Sequence, residues 1–467
     1  MATLTFLGAA REVTGSCHLL ESPALGQVIL DCGMHQGGDA TERIKQDNFQ
    51  FDPAALNAVI LSHAHLDHSG LLPKLVNRGF TGLIYCTTAT RDLLRIMLYD
   101  ALGLYEKDLE RDNMKRKRRG EEPEQAEYTE QDVEQVFRQC LTQRYRKPVA
   151  ISENTTLTFH DAGHILGSAI VELDLVEDST TKKLVFSGDL GKRNSILMND
   201  PEELSAADVV LMESTYGNRE HRNEGDTLQE LQQILSDTWQ RHGNVFIPSF
   251  AVGRAQELIF YLGELHQQGL LDDWKIFLDS PMAIEVTKVY DNWLQILDHD
   301  DVKKLTQTHR SSLEGFLPSL NLCVTPEESM AINKIESGAL VIAGSGMCTG
   351  GRIRHHFKHR IWHSNNTIIF VGFQANGTLG RILVNGVKKI RMFGEEFAVK
   401  ADIQTLGGFS AHAGQKGLID WISRFKSAQH RILVHGEEDA MQALAEKLAQ
   451  EHDIHCRMPF QGERFKF

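Results

Sequence analysis

A chain of 467 residues is too long for one simple core and long enough for two or three domains. Its 41% hydrophobic content can bury substantial cores, and a net charge of −14 argues against indiscriminate nucleic-acid binding, leaving any anion site to local arginines. No stretch approaches the ~20 apolar residues of a membrane span, and MATLTFLGAAREVTGS lacks a basic-then-apolar leader, so a soluble cytoplasmic chain with no membrane partner is expected.

In chain order, short Val/Ile/Leu-rich runs read as buried strands ending in polar or Gly-rich turns: residues 3–9, 27–33, 58–63, 183–191, 208–214, 244–250, 339–346, 367–374 and 431–437. Helical patterns lie between many of them, as at 227–242 and 439–452, so the class is α/β. Residues 1–33 and 154–191 hold several strands with little helix, which suggests meanders. Residues 208–374 alternate strand and helix, which suggests a doubly wound parallel sheet. The expected organisation is a sheet-rich domain (1–205 and 396–467) with an α/β domain (206–395) inserted. Residues 100–147, including MKRKRRGEEPEQAE, read as a solvated helical excursion with a loop at Gly120–Pro123. The acidic run there offsets the basic one, which disfavours RNA binding. The seven cysteines are scattered without a CxxC. This argues against a disulfide framework and a cysteine zinc site, and fits a reducing compartment.

LSHAHLDHSG (61–70) packs His63, His65, Asp67 and His68 into six positions between a strand and a plausible helix. His63 and His65, two apart, can point to one side of an extended turn. Asp67 and His68 follow as the chain turns and can face a different point. Four such side chains suit two adjacent ions, which in hydrolytic sites lie ~3.5–4 Å apart and share one water. A run of surface histidines is the bland alternative. Further ligand types occupy similar turns: His164 in FHDAGHILGSA, Asp189 in VFSGDLG and His435 in ILVHGEED. Each alone reads as an ordinary turn residue.

LDCG (30–33), SHAHLDHSG, DAGHILGSA and SGDLG match, in order, the first four motifs of the metallo-β-lactamase superfamily. MESTYGNR (212–219), GGFSAHA (407–413) and LVHGEE (433–438) resemble the three further motifs of the β-CASP nucleases. That group includes the nuclease subunit of the cleavage and polyadenylation specificity factor, its bacterial and archaeal relatives, and ribonuclease J. The resemblance runs from residue 3 to about 440. It implies a four-layer αββα sandwich with an inserted doubly wound α/β domain. It also implies one metal on His63, His65 and His164, a second on Asp67, His68 and His435, and Asp189 between them. Two Zn²⁺ are expected, with Mn²⁺ or Fe as alternatives for the same donors. Asp31 is expected to orient a ligand imidazole or backbone by hydrogen bonds, with an ordinary strand-end turn as the competing reading.

The implied reaction is hydrolysis of phosphodiester bonds in single-stranded RNA by a hydroxide shared by the cations. His412 is expected to be the general acid, held protonated by Glu213, with Asp67 completing the catalytic set. A helix-cap role is the alternative for His412. Three Gly-rich turns with Arg at helix starts, PSFAVGRAQEL, GSGMCTGGRIRHH and GFQANGTLGRIL, assign phosphate contacts to Arg254, Ser345, Arg352, Thr378 and Arg381. These residues would put RNA in a cleft between the domains. His435 resembles the RNA-processing branch, since the DNA-repair branch usually carries valine there. Endonuclease action is favoured, with a 5′ exoribonuclease or a small-molecule lactam or thioester hydrolase as alternatives. A silent RNA-binding scaffold is disfavoured because all seven ligands remain. A homodimer is left open.

Overall fold

The N-terminal apolar runs form strands largely buried on both faces, while the backbone pairs laterally. The computed structural model describes every residue except 36–39, 178–179, 221–223, 308–311, 373 and 376. In it β1 (Thr3–Gly8), β2 (Cys17–Ser22) and β3 (Gly26–Leu30) form the expected antiparallel meander, which β4 (Ala58–Ile60), β5 (Leu83–Thr87) and β6 (Cys140–Gln143) extend in parallel. A second antiparallel run comprises β7 (Val149–Ser152), β8 (Thr155–Asp161), β9 (Ala169–Glu177) and β10 (Thr180–Phe186). β11 (Val209–Glu213) then joins β10 in parallel. The inserted stretch contributes β12 (Val245–Pro248), β13 (Lys275–Asp279), β14 (Leu320–Leu322), β15 (Ala339–Ala343), β16 (Thr367–Phe370), β17 (Lys389–Met392), β18 (Glu395–Ala398) and β19 (Asp402–Thr405). β20 (His430–Val434) and β21 (Arg464–Lys466) follow.

Two sheets build the first unit, in the orders β21-β1-β2-β3-β4-β5-β6 and β20-β11-β10-β9-β8-β7. One core joins them. Leu4, Phe6, Leu20, Val28, Leu30 and Ile60 of the first sheet share it with Leu157, Phe159, Leu173, Phe186, Leu211 and Val434 of the second. Burying each such side chain contributes roughly 1.5–3 kcal/mol. The other face of the second sheet, with Val185, Val210, Met212 and Leu433, packs on Leu418 and Ile422 of helix Gln415–Ile422 and on Met441 and Leu444 of helix Glu438–His452. Helix Thr88–Arg119 lies against β5 and β6. The layering is therefore αββα.

The segment 100–147 departs from the solvated reading. Helix Thr88–Arg119 ends at Gly120, whose φ of 75° is a left-handed cap, as the loop expectation required. Its Leu98, Leu102, Tyr105 and Leu109 recur at helical spacing and are buried, and Tyr105 stacks on Tyr128 at 5.0 Å. The charges hide a narrow apolar stripe that composition alone does not separate from a solvated face.

In the second unit the sheet order is β14-β13-β15-β12-β16-β19, and every pairing is parallel. Strands such as ALVIA and TIIF are buried throughout, as parallel strands covered on both faces must be. The hairpin β17–β18 adds Ile390 and Met392 to a core containing Phe246, Val341, Phe357 and Phe370. The first unit comprises 1–220 and 412–467, and the second 221–411. β11 packs with the first unit and β19 with the second. β11 pairs with β10 and β20, β19 pairs with β16, and lateral pairing is invisible in a hydrophobic run. All seven cysteines are free. Among the described residues no helix is long and apolar enough to cross a membrane.

Candidate metal centre

Strand ends of both sheets of the first unit carry the ligand-type residues. Asp31 follows β3, His63 lies just beyond β4, Asp189 beyond β10 and His435 beyond β20, while Glu213 ends β11. His65, Asp67 and His68 sit in the turn and short helix after β4, and His164 in the β8–β9 loop. Two close backbone approaches hold these turns together. A Cβ on Gly33 would lie 1.7 Å from the Asp67 carbonyl oxygen, and one on Gly191 would lie 1.9 Å from that of Gly163. Only glycine fits at either place.

The donor atoms gather in two groups. His63 Nε2 lies 3.1 Å from His65 Nδ1, and His65 Nδ1 lies 3.2 Å from His164 Nε2. Asp189 Oδ2 is 3.6 Å from both Nε2 atoms. Four ligands at 2.0–2.1 Å from a tetrahedral zinc would stand roughly 3.3–3.4 Å apart, close to this spacing. In the second group His68 Nε2 is 3.2 Å from His435 Nε2 and 3.4 Å from Asp189 Oδ2, and His435 Nε2 is 3.7 Å from Asp67 Oδ2. Asp189 thus touches both groups. Its Oδ1 is buried with no hydrogen-bond donor, 3.4 Å from His435 Nδ1. A buried, unsatisfied carboxylate oxygen among imidazoles fits a cation. Asp189, Glu213 and His435 also come within ligand reach of one another. The Glu213 carboxylate, however, is occupied: Oε1 accepts from Leu190 N at 2.7 Å and Oε2 from Thr215 N at 3.3 Å.

Electrostatics favour the ligand forms of His63, His65, Asp67 and Asp189. Burial, aided by His68, holds His63 well below its usual pKa, and burial lowers His65 to about 4, so both rings keep a lone pair. Burial would raise Asp67, but His435 and His68 outweigh it and bring the carboxyl to about 2. At Asp189 burial is likewise overcome, by His435 and His68, and the group stays ionised. Burial opposes a proton on His68, yet Asp189 and Asp31 hold one there. The same field favours a metal cation. His412 Nδ1 lies 3.2 Å from Glu213 Oε1 and 3.9 Å from Asp189 Oδ2. Against burial, Glu213, then Asp189 and Asp67, raise His412 to about 9.

Asp31 is wholly buried and acts through its neighbours. Its Oδ1 accepts from Ser62 N at 2.8 Å. Its Oδ2 accepts from Ser62 Oγ at 3.0 Å, Ser16 Oγ at 3.1 Å and His68 Nδ1 at 2.7 Å. This fixes the His68 tautomer and turns Nε2 toward the centre. Ser62 Oγ in turn lies 3.0 Å from His63 Nδ1 and does the same for that ring. Asp31 and His435 are both held at left-handed φ, 62° and 48°, a strain that functional turns often store.

Sequence reasoning missed Ser16, Ser62, Thr215 and His18. Thr215 Oγ1 donates to His435 O at 3.1 Å and lies 3.2 Å from His435 Nδ1. Its signal was its place two residues after Glu213 in MESTYGNR. His18 packs edge-on against Phe6 and Phe186, and burial lowers it to about 3.

The five residues assigned to phosphate separate into two kinds. The Arg254 guanidinium is buried and paired with Glu257. Arg352 donates to Asp279 Oδ1 at 2.7 Å, Cys323 O at 2.8 Å and Val324 O at 2.7 Å. Neither is an open phosphate clamp, because each guanidinium is already bonded to a carboxylate or carbonyls within the protein. Ser345 Oγ accepts from Gly350 N at 3.2 Å within its own turn, and Thr378 Oγ1 accepts from Arg381 N at 3.2 Å as a helix cap. Among the described residues Arg381 has no side-chain partner and is half-buried. Positions 373 and 376 of the third Gly-rich stretch lie outside the described residues.

Three family profiles match consecutive parts of the chain: the metallo-β-lactamase superfamily over 10–234, the Beta-Casp domain over 255–383, and the Zn-dependent metallo-hydrolase RNA specificity domain over 396–459. The chain is 39% identical to Ribonuclease TTHA0252 of Thermus thermophilus over 446 residues, 95% of each protein. It is 34% identical to Transcription termination factor FttA of Methanocaldococcus jannaschii over 93% of this chain and 67% of that protein. It is 32% identical to the FttA of Methanosarcina mazei over 97% and 70%. A protein of unknown function from Enterococcus faecalis V583 shares the fold, with a TM-score of 0.55 and 13% identity over 99% of both chains. With the donor geometry and the whole-length likeness in agreement, the chain belongs to the β-CASP family of metallo-hydrolases in the metallo-β-lactamase superfamily.

Proposed function

We propose that this β-CASP metallo-hydrolase is a two-zinc endoribonuclease acting on single-stranded RNA. The observation that carries the reading is the pair of donor groups meeting at Asp189 with His412 beside them. A relative named as a ribonuclease, matched over nearly its full length, and a profile described by RNA specificity support RNA as the substrate.

His63, His65 and His164 would hold one ion, Asp67, His68 and His435 the other, and Asp189 both. Two divalent cations bound there would supply Lewis acidity and lower the pKa of a coordinated water. The chain's own part is proton control and positioning. Glu213 accepts a hydrogen bond from His412 Nδ1, so Nε2–H is the proton that His412 delivers to the leaving ribose oxygen. Glu213 also holds Leu190 N and therefore the turn that presents Asp189. Asp67 stays ionised in the second group. Arg381, with Ser345 and Thr378 on neighbouring turns, would meet backbone phosphates. Arg254 pairs with Glu257 of its own helix, and Arg352 ties its helix start to Asp279 and to the carbonyls of Cys323 and Val324.

Digestion of a circular and a 5′-labelled linear RNA, with and without chelator, tests the mode. Chelator-sensitive cutting of the circle is expected. A linear substrate degraded only from its 5′ end, with the circle intact, would establish the exonuclease alternative. His412→Ala should lose about 10²–10⁴-fold in kcat and keep its metal by elemental analysis. Loss of metal in that variant would remove His412 from the acid role.

A further inference from the structure

Between Arg352 and Lys400 the chain carries nine Arg and Lys against two acidic residues, Glu395 and Glu396, although its net charge is −14. Part of this positive charge forms one surface of the second unit. Arg354 and Lys358 of helix Arg352–Arg360, and Trp362 just beyond it, recur every fourth residue and share a face. The tip of the β17–β18 hairpin meets that face. The Phe393 ring lies 4.9 Å from the His355 ring, 5.1 Å from the Arg354 guanidinium carbon and 5.9 Å from Lys358 Nζ. Phe393 and Trp362 are 44% and 46% exposed, and Lys389 and Arg391 face solvent along the hairpin.

The turn itself does not call for an aromatic at the tip. Phe393 has φ 51° and Gly394 φ 82°, the two left-handed positions of a hairpin turn that favours Asn-Gly. A bulky apolar side chain there is both strained and exposed. The hairpin is anchored instead by Ile390 and Met392. Arg354 is held by Thr349 O at 3.2 Å, and its Nε is buried without a hydrogen-bond acceptor. Lys358 and Lys389 pair with Glu395 at 3.5 Å and Glu396 at 2.7 Å, exposed ion pairs that a polyanion can displace.

We propose that this surface binds single-stranded RNA outside the metal centre, with phosphates on Arg354 and Lys358 and bases stacked on Phe393 and Trp362. The proposal rests on the reading of RNA as substrate. Cations interleaved with exposed aromatics are what a sequence-tolerant strand track needs. An otherwise acidic chain must concentrate its attraction for RNA in such a patch. The track would add contacts only for RNA long enough to occupy it, so that long substrates bind better than short ones.

The test uses the metal-loaded full chain. Stopped-flow anisotropy reads binding of a labelled 30-nucleotide oligouridylate before cleavage, and initial rates are taken on that RNA and on a six-nucleotide one. Arg354→Gln/Lys358→Gln should weaken 30-mer binding several-fold and reduce the slope of log Kd on log salt by roughly 1.4, with turnover of the short RNA unchanged. Phe393→Asn should relieve the turn, so its melting temperature should not fall, yet 30-mer affinity should drop about five-fold or more. Unchanged affinity and salt slope in both variants, with a wild type that binds and cleaves, would overturn the track and leave the ribonuclease reading intact. A wild type that neither binds nor cleaves RNA would overturn both.

Discussion

Nε2 of His68 and Nε2 of His435 lie 3.2 Å apart although 367 positions separate the residues. Asp31 takes the Nδ1 proton of His68, and Thr215 Oγ1 faces Nδ1 of His435, so each Nε2 presents its other valence to its partner. Two lone pairs at that distance repel unless a proton or a metal cation lies between them. A metal cation held there would therefore stabilise the fold as well as supply the chemistry.

Dialysis against a strong chelator should accordingly lower the melting temperature by several degrees, and zinc should restore it, because a ligand bound only by the native state stabilises that state. His435→Ala should bring the zinc content measured by elemental analysis from two ions per chain toward one. A melting temperature indifferent to chelator would show that no metal is held at these residues.

Asp31→Asn retains shape and loses charge. Its effect should reach the metal through His68, with affinity falling about 10–100-fold. Burial of an amide among Ser16, Ser62 and His68 should also cost about 1–3 kcal/mol of stability. Competition with a fluorescent zinc chelator reads the first effect, and urea unfolding reads the second. A variant with wild-type zinc affinity would reduce Asp31 to a strand-end turn.

Arg352 and Arg381 should part company. Arg352→Ala leaves Asp279 with His356 at 2.6 Å and Ser329 at 2.6 Å but strips its guanidinium, so stability should drop by about 1–3 kcal/mol. Arg381→Ala should leave stability within about 0.5 kcal/mol while weakening RNA binding and lowering the salt slope by roughly 0.7. Thermal melts paired with a salt titration of RNA affinity distinguish the two. An unchanged slope for Arg381→Ala would mean that it meets no phosphate.

His160 supplies a pH signature outside the candidate metal-ligand residues. Its ring lies 3.4 Å from Glu202 and 3.6 Å from Glu172, and these carboxylates overcome burial to raise it to about 9. A raised histidine stabilises fully below its unfolded value near 6.5, and that contribution is lost as pH rises through about 9. Wild-type stability should decline across that interval by about 1–2 kcal/mol, allowing for partial solvent screening, whereas His160→Gln should be flat there. Parallel pH profiles for the two proteins would exclude the ion pairs as the cause.

Sequence alone determined much of this protein. Apolar runs such as ALVIA and TIIF could only be covered strands, and the meanders at 1–33 and 154–191 followed from strands with little helix between them. The HxHxDH turn and the three remaining ligand-type residues were legible because metal ligands must be of a few side-chain types, set in turns at strand ends. Those are local properties, readable from spacing and resemblance.

Tertiary structure decided what depends on partners far along the chain. Which carboxylate meets both donor groups, that Thr215 faces His435, that Arg254 and Arg352 are already paired, and that β11 and β19 belong to different units all rest on lateral pairing and packing. An arginine beside a glycine-rich turn looks the same in sequence whether it faces solvent or a buried carboxylate. The difference lies in desolvation and in the hydrogen bonds that satisfy it, and both are set by residues tens to hundreds of positions away.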